Sequence, residues 1–154
     1  MAVSPVPAGY HSITPYLVVN GATKALDWYR EVFGAREVMR LDAPGGRIGH
    51  AEFQIADSRL MIADENPDCD ARGPAAFGGS PITLLLYVPD VDAVFAKATA
   101  AGAEVKRPPA DMFYGDRSAT VVDPFGHSWH ISTHIEDVSE DEIKRRLAKM
   151  AAQG

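Results

Sequence analysis

A chain of 154 residues, 46% hydrophobic and 23% charged, has ordinary globular composition and enough apolar mass for one core of moderate size. Its formal charge of −6 and 15 scattered basic residues leave no stripe to track phosphates, which argues against a nucleic-acid partner. No apolar run nears the roughly 20 residues of a membrane span, Met1–Gly9 lacks the basic and apolar regions of a leader, and the lone Cys69 lies in a polar stretch, so a cytoplasmic protein without membrane contact is expected.

In chain order, Ile13-Thr14-Pro15-Tyr16-Leu17-Val18-Val19 reads as a strand. Asn20-Gly21 then opens a helix with apolar Ala25, Leu26, Trp28, Tyr29, Val32 and Phe33, and Gly34 stops it. Strands follow over residues 37–41, 49–55 and 59–63, separated by Pro44-Gly45-Gly46 and Ala56-Asp57-Ser58. After a Pro- and Gly-rich stretch the pattern returns. Residues 82–88 read as a strand, and Asp90 opens a helix with Val91, Val94, Phe95, Ala98 and Ala101 that Gly102 ends. Strands are expected over 104–106, 118–123 and 128–133, divided by turns at Pro108-Pro109 and Asp123-Pro124-Phe125-Gly126. Finally, Ser139-Glu140-Asp141-Glu142 is a capping box opening a basic helix over 140–152, read as a surface or subunit-contact element.

The two runs are copies of one βαβββ unit. The expected class is therefore α+β: two tandem βαβββ modules forming a cupped mixed sheet, the first over 10–64, a linker loop at 65–81, the second over 82–135, and the C-terminal helix over 139–152. Superposing the copies sets Phe53 against Val122, Leu60 against Trp129 and Met61 against His130.

Two such modules resemble the vicinal oxygen chelate superfamily of glyoxalase I, extradiol dioxygenases, fosfomycin resistance enzymes and bleomycin-binding proteins. The strings Ala25-Leu26-Asp27-Trp28-Tyr29, Gly49-His50-Ala51-Glu52, Gly78-Gly79-Ser80-Pro81, Phe113-Tyr114-Gly115-Asp116-Arg117 and Asp123-Pro124-Phe125-Gly126-His127-Ser128-Trp129 resemble its PhnB-like branch. The resemblance implies a small-molecule pocket between the modules and, from relatives, a homodimer. It also implies a divalent metal held by one side chain from the first and last strand of each module, which here are Thr14, Met61, Thr83 and His130. Only His130 is a good ligand, so no cofactor is expected. A divalent metal held instead by His50, Glu52 and His130 is the weaker alternative.

Strand alternation gathers His50, Glu52 and Gln54 on one face, and Ser128, His130, Ser132 and His134 on another. A polar wall of this kind suits a small organic ligand. The ligand-binding candidates are His50, Glu52, Met61, Tyr114, Arg117 and His130. For the two histidines, pocket lining, structural hydrogen bonding and metal ligation all stay open. Tyr114 and Arg117 belong to a loop that could cap a pocket, where Arg117 either binds a carboxylate or phosphate of a ligand or simply pairs with Asp116. Trp28, Tyr29 and Phe33 are core, and His11, His127 and His134 are structural or surface residues.

No nucleophile elbow, phosphate-cradling loop or cysteine cluster occurs, which sets aside hydrolases, nucleotide binders, zinc fingers and methyltransferases. Two functions remain. One is metal-free binding or sequestration of an organic ligand, as in bleomycin-resistance proteins. The other is a glyoxalase- or isomerase-type lyase, or a dioxygenase-related enzyme, using a metal or a His/Glu base with Glu52 or His130 as catalytic candidates.

Overall fold

A computed structural model describes residues 2–154. They form two compact units, the first running to Pro81 and reclaiming Pro124–His127, the second comprising Ile82–Asp123 and Ser128–Gly154. The fold is α+β, with three helices and two four-stranded mixed sheets.

In the first unit, β1 (Tyr16–Val19) leads to α1 (Ala22–Phe33), and β2 (Arg36–Ala43), β3 (Arg47–Ile55) and β4 (Ser58–Asp64) follow as a meander. The sheet order is β1-β4-β3-β2, with β1 parallel to β4 and the other pairs antiparallel. Alternation buries Leu17, Val19, Ala51, Phe53, Ile55, Leu60 and Ile62 beneath α1, whose Ala25, Leu26, Trp28, Tyr29 and Val32 are likewise buried. The Tyr29 ring stacks on Phe53 with centroids 5.5 Å apart.

The start of α1 is fixed by a distant residue. Gly21 stands at the N-cap with a left-handed backbone and no side chain to offer. Asp64, at the end of β4, instead accepts the N–H groups of Gly21 (2.8 Å) and Ala22 (2.9 Å), and its other oxygen accepts Ile48 N–H (2.8 Å). Burial alone would raise this carboxyl's pKa; the three backbone donors outweigh burial and hold it below the usual range.

The second unit repeats the plan with β5 (Thr83–Tyr87), α2 (Val91–Ala100), β6 (Glu104–Asp111), β7 (Asp116–Val122) and β8 (Ser128–His134) in the order β5-β8-β7-β6. Ala119, Val121, Trp129 and Ile131 are buried on its helix side. The C-terminal α3 (Glu140–Ala151) starts on Ser139, whose hydroxyl accepts Glu142 N–H.

Two expectations need correction. Pro108-Pro109 does not end a strand, because β6 runs through it to Asp111. As an edge strand, β6 pairs only with β7, and its register slips between Arg107↔Thr120 and Ala110↔Ser118, so neither proline owes the ladder an N–H. The copies also align differently on their third strands: Phe53 pairs with Leu60 and Val121 with Trp129, so Val121, not Val122, is the counterpart of Phe53. The β7–β8 loop is longer than the β3–β4 turn, which displaces the alignment by one residue.

Candidate functional site

In each sheet the helix covers one face and leaves the other open. Register defines a row across the open face of the first sheet: Met39 pairs with Glu52, Glu52 with Met61, and Met61 with Tyr16. A neighbouring row pairs Leu41 with His50. Tyr16, Met39 and Leu41 are large apolar side chains left 50%, 37% and 55% exposed. Among them runs a hydrogen-bonded line. The Tyr16 hydroxyl lies 2.7 Å from His50 Nδ1, His50 Nε2 lies 3.4 Å from Glu52 Oε1, and the Tyr10 hydroxyl donates to Glu52 Oε2. The Arg59 guanidinium lies 5.0 Å from the centre of the Tyr10 ring.

The electrostatics of this line are consistent from end to end. The Tyr10 hydrogen bond is the strongest influence on Glu52 and lowers its pKa; burial opposes this, and His50 adds to the lowering. Burial raises Tyr16, and burial followed by the Glu52 bond raises Tyr10, so both phenols keep their protons. Glu52 is then an acceptor only, and a His50 tautomer that accepts from Tyr16 at Nδ1 and donates through Nε2 satisfies every contact.

Tyr16 also borders a cleft of about 490 Å³ at the end of the first sheet, walled by Val18, Arg47, Asp64, Asn66 and Cys69. The segment after β4 thus borders a cavity of the first unit. His127, expected as a turn or surface residue, lies with Nε2 3.0 Å from the Val18 carbonyl.

The matching row of the second sheet is Arg107, Thr120, His130 and Leu85. His130 Nδ1 lies 2.9 Å from Thr120 Oγ1. Burial, then the positive charge of Arg107, pushes the imidazole pKa down against the pull of Asp116, which favours a neutral ring. Further along, buried Asp116 accepts the Tyr87 hydroxyl (2.9 Å) and lies 2.7 Å from His134 Nδ1, while His134 Nε2 lies 2.8 Å from Asp137.

The sequence candidates therefore separate. His50, Glu52 and Met61 share the open face of the first sheet, and His130 stands on the second sheet. Tyr114 occupies the turn between β6 and β7, edge-on to Phe113. Arg117 is not in a loop and does not pair with Asp116. As the second residue of β7 it alternates to the helix side, where its guanidinium bonds both oxygens of Asp92 (2.7 and 2.9 Å) and Asp111 (2.9 Å). Tyr10 and Tyr16 were not among the candidates. For Tyr16 the signal was present, since it alternates with core residues Leu17 and Val19; for Tyr10, ahead of any strand, there was none.

The metal implied by the resemblance does not fit these residues. Tyr16 stands beside Met61 and Leu85 beside His130, while Thr83 pairs with Ser128 and Thr14 precedes β1. A thioether, two hydroxyls and one imidazole make a poor donor set for a divalent cation. Among the described residues, no three His, Cys, Asp or Glu side chains are grouped to hold a metal ion.

Residues 9–131 match the family model described as Glyoxalase/Bleomycin resistance protein/Dioxygenase superfamily. An uncharacterized protein of Mycobacterium bovis is 39% identical over 157 residues, covering 100% of this chain and 99% of that protein. Among solved structures, TioX from Micromonospora sp. ML1 is 30% identical with a TM-score of 0.64, over 81% of this chain and 99% of that one. A PhnB protein from Bacillus cereus shares the fold at 20% identity and a TM-score of 0.59, over 80% of this chain and 99% of that one.

Proposed function

We propose a function from the premise that this chain belongs to the Glyoxalase/Bleomycin resistance protein/Dioxygenase superfamily: it binds a small organic molecule on the open face of its first sheet, without a metal. The observation that carries this reading is the line Tyr16–His50–Glu52, a satisfied polar core bordered by exposed Met39 and Leu41. Apolar surface with a few fixed polar groups is the composition of an organic-ligand site, where the apolar rim supplies affinity and the polar centre sets orientation. The PhnB-like resemblance, a cytoplasmic setting and a homodimer belong to the same reading.

A second reading, proton transfer by a His/Glu base, is better supported at His130 than at Glu52. Both groups are lowered, Glu52 first by its Tyr10 bond and His130 first by burial, but an imidazole starts from a higher ordinary value than a carboxylate, so His130 is the stronger of the two bases.

The test is elemental analysis of protein purified without chelator, with zinc, nickel, manganese and cobalt titrated calorimetrically into wild type and His130→Ala. The expected result is no stoichiometric metal in either protein. Near-stoichiometric metal that the variant loses would replace this reading with a metalloenzyme.

A further inference from the structure

The segment preceding β1 lies across the site just described. Its backbone turns at Pro7–Tyr10, where Tyr10 N–H donates to the Pro7 carbonyl (3.1 Å). Tyr10 then reaches the open face, with its ring over the Arg59 guanidinium and its hydroxyl on Glu52. Gly9 approaches the same guanidinium so closely that a Cβ would lie 2.8 Å from Arg59 Cζ, and its φ of +82° suits glycine alone. A larger residue there would strain the turn and push the Arg59 guanidinium aside.

We infer that Tyr10 is a built-in occupant of an aromatic-donor subsite, and that the N-terminal segment is a strap which a hydroxylated aromatic ligand displaces. The inference rests on the reading of this face as the ligand site and names the class of molecule that enters it. Glu52 is an acceptor only, so whatever sits against it must bring an O–H or N–H. Arg59 presents a flat cation, so whatever sits over it gains by being aromatic. A phenol meets both demands, and the chain itself supplies one through Tyr10. The fit of the strap is nonetheless incomplete: Arg59 Nε is buried with no hydrogen-bond partner. A bound phenol with a second oxygen nearby would supply that acceptor, which gives an external ligand an advantage over the tethered side chain.

A strap of this kind acts by competition. A tethered group is present at an effective concentration of order millimolar, so a free ligand must exceed that advantage before it binds. Ligand capture then frees the segment up to Tyr10, which turns occupancy of the site into a change at the N-terminus.

The experiment uses p-cresol, the side chain of tyrosine without its backbone, titrated into 15N-labelled protein with toluene as the control lacking a hydroxyl. Tyr10→Ala is expected to bind p-cresol at least about tenfold more tightly than wild type, with shifts centred on His50 and Glu52 and none from toluene. Tyr10→Phe, which keeps the ring and loses the donor, is expected to fall between them. Adding Glu52→Leu to Tyr10→Ala, which takes the acceptor away, is expected to remove binding while the thermal melt shows the domain still folded. Equal p-cresol affinity in wild type and Tyr10→Ala, with shifts at His50 and Glu52, would overturn the strap and leave the ligand face standing. No shifts at these residues in any of the proteins would overturn both.

Discussion

The hydroxyl of Tyr16 on β1 lies 2.7 Å from Nδ1 of His50 on β3, so the first sheet's open face is bridged by side chains as well as by its ladder. Because the Tyr16 phenol keeps its proton, it donates and fixes the His50 tautomer that points Nε2–H at Glu52. Tyr16→Phe should therefore leave the fold unchanged and weaken ligand binding by about 3- to 10-fold, the net worth of one hydrogen bond. Calorimetry with the best aromatic binder checks this, and an unchanged affinity would remove Tyr16 from the site.

Asp64 ties the start of α1 to the start of β3. Asp64→Ala removes the acceptor from three backbone N–H groups and should cost about 2–4 kcal/mol of unfolding free energy. Urea denaturation followed by circular dichroism measures it, and a loss under about 0.5 kcal/mol, typical of a neutral surface substitution, would contradict the capping role.

Arg117 serves α2 and β6. Arg117→Ala should lower the melting temperature slightly and leave ligand affinity unchanged, because its partners Asp92 and Asp111 lie on the helix side of the sheet. A variant with normal stability and lost binding would reverse that assignment.

His134 gives the second unit a pH dependence. Its hydrogen bonds, first with Asp137 and then with Asp116, raise its pKa above the ordinary 6.5. The folded state therefore holds the proton more tightly than the unfolded chain does. The stabilisation is complete below the unfolded value and is lost as pH rises through the folded one. The difference in urea midpoint between wild type and His134→Gln should be full below the ordinary 6.5 and shrink as pH rises above it. A difference that grows with pH would have the wrong sign.

The repeat, the class of fold and the core faces of α1 and β3 were legible because the periods of 3.6 and 2 recur in both copies. What escaped the sequence depends on tertiary contacts. Two prolines inside β6 look like a turn until the strand is known to be an edge. Arg117 looks like a loop residue until β7 is seen to begin at Asp116, after which alternation turns it to the helix side. The cap of α1 comes from Asp64 and not from Asn20 or Gly21. Within the candidate site, alternation found His50 and Glu52. It could not find Tyr10, whose position depends on a chain segment outside any strand.

The proposed site takes an aromatic hydroxyl compound on the open face of the first sheet, without metal. Saturation-transfer NMR with a library of phenols and their deoxy analogues, recorded in EDTA on wild type and Glu52→Gln, tests it most directly. Phenols are expected to bind wild type in the presence of chelator, to give a weaker signal in Glu52→Gln, which loses the charge, and to exceed their deoxy analogues. Binders that ignore the Glu52 substitution, or that appear only when a divalent metal is restored, would contradict it.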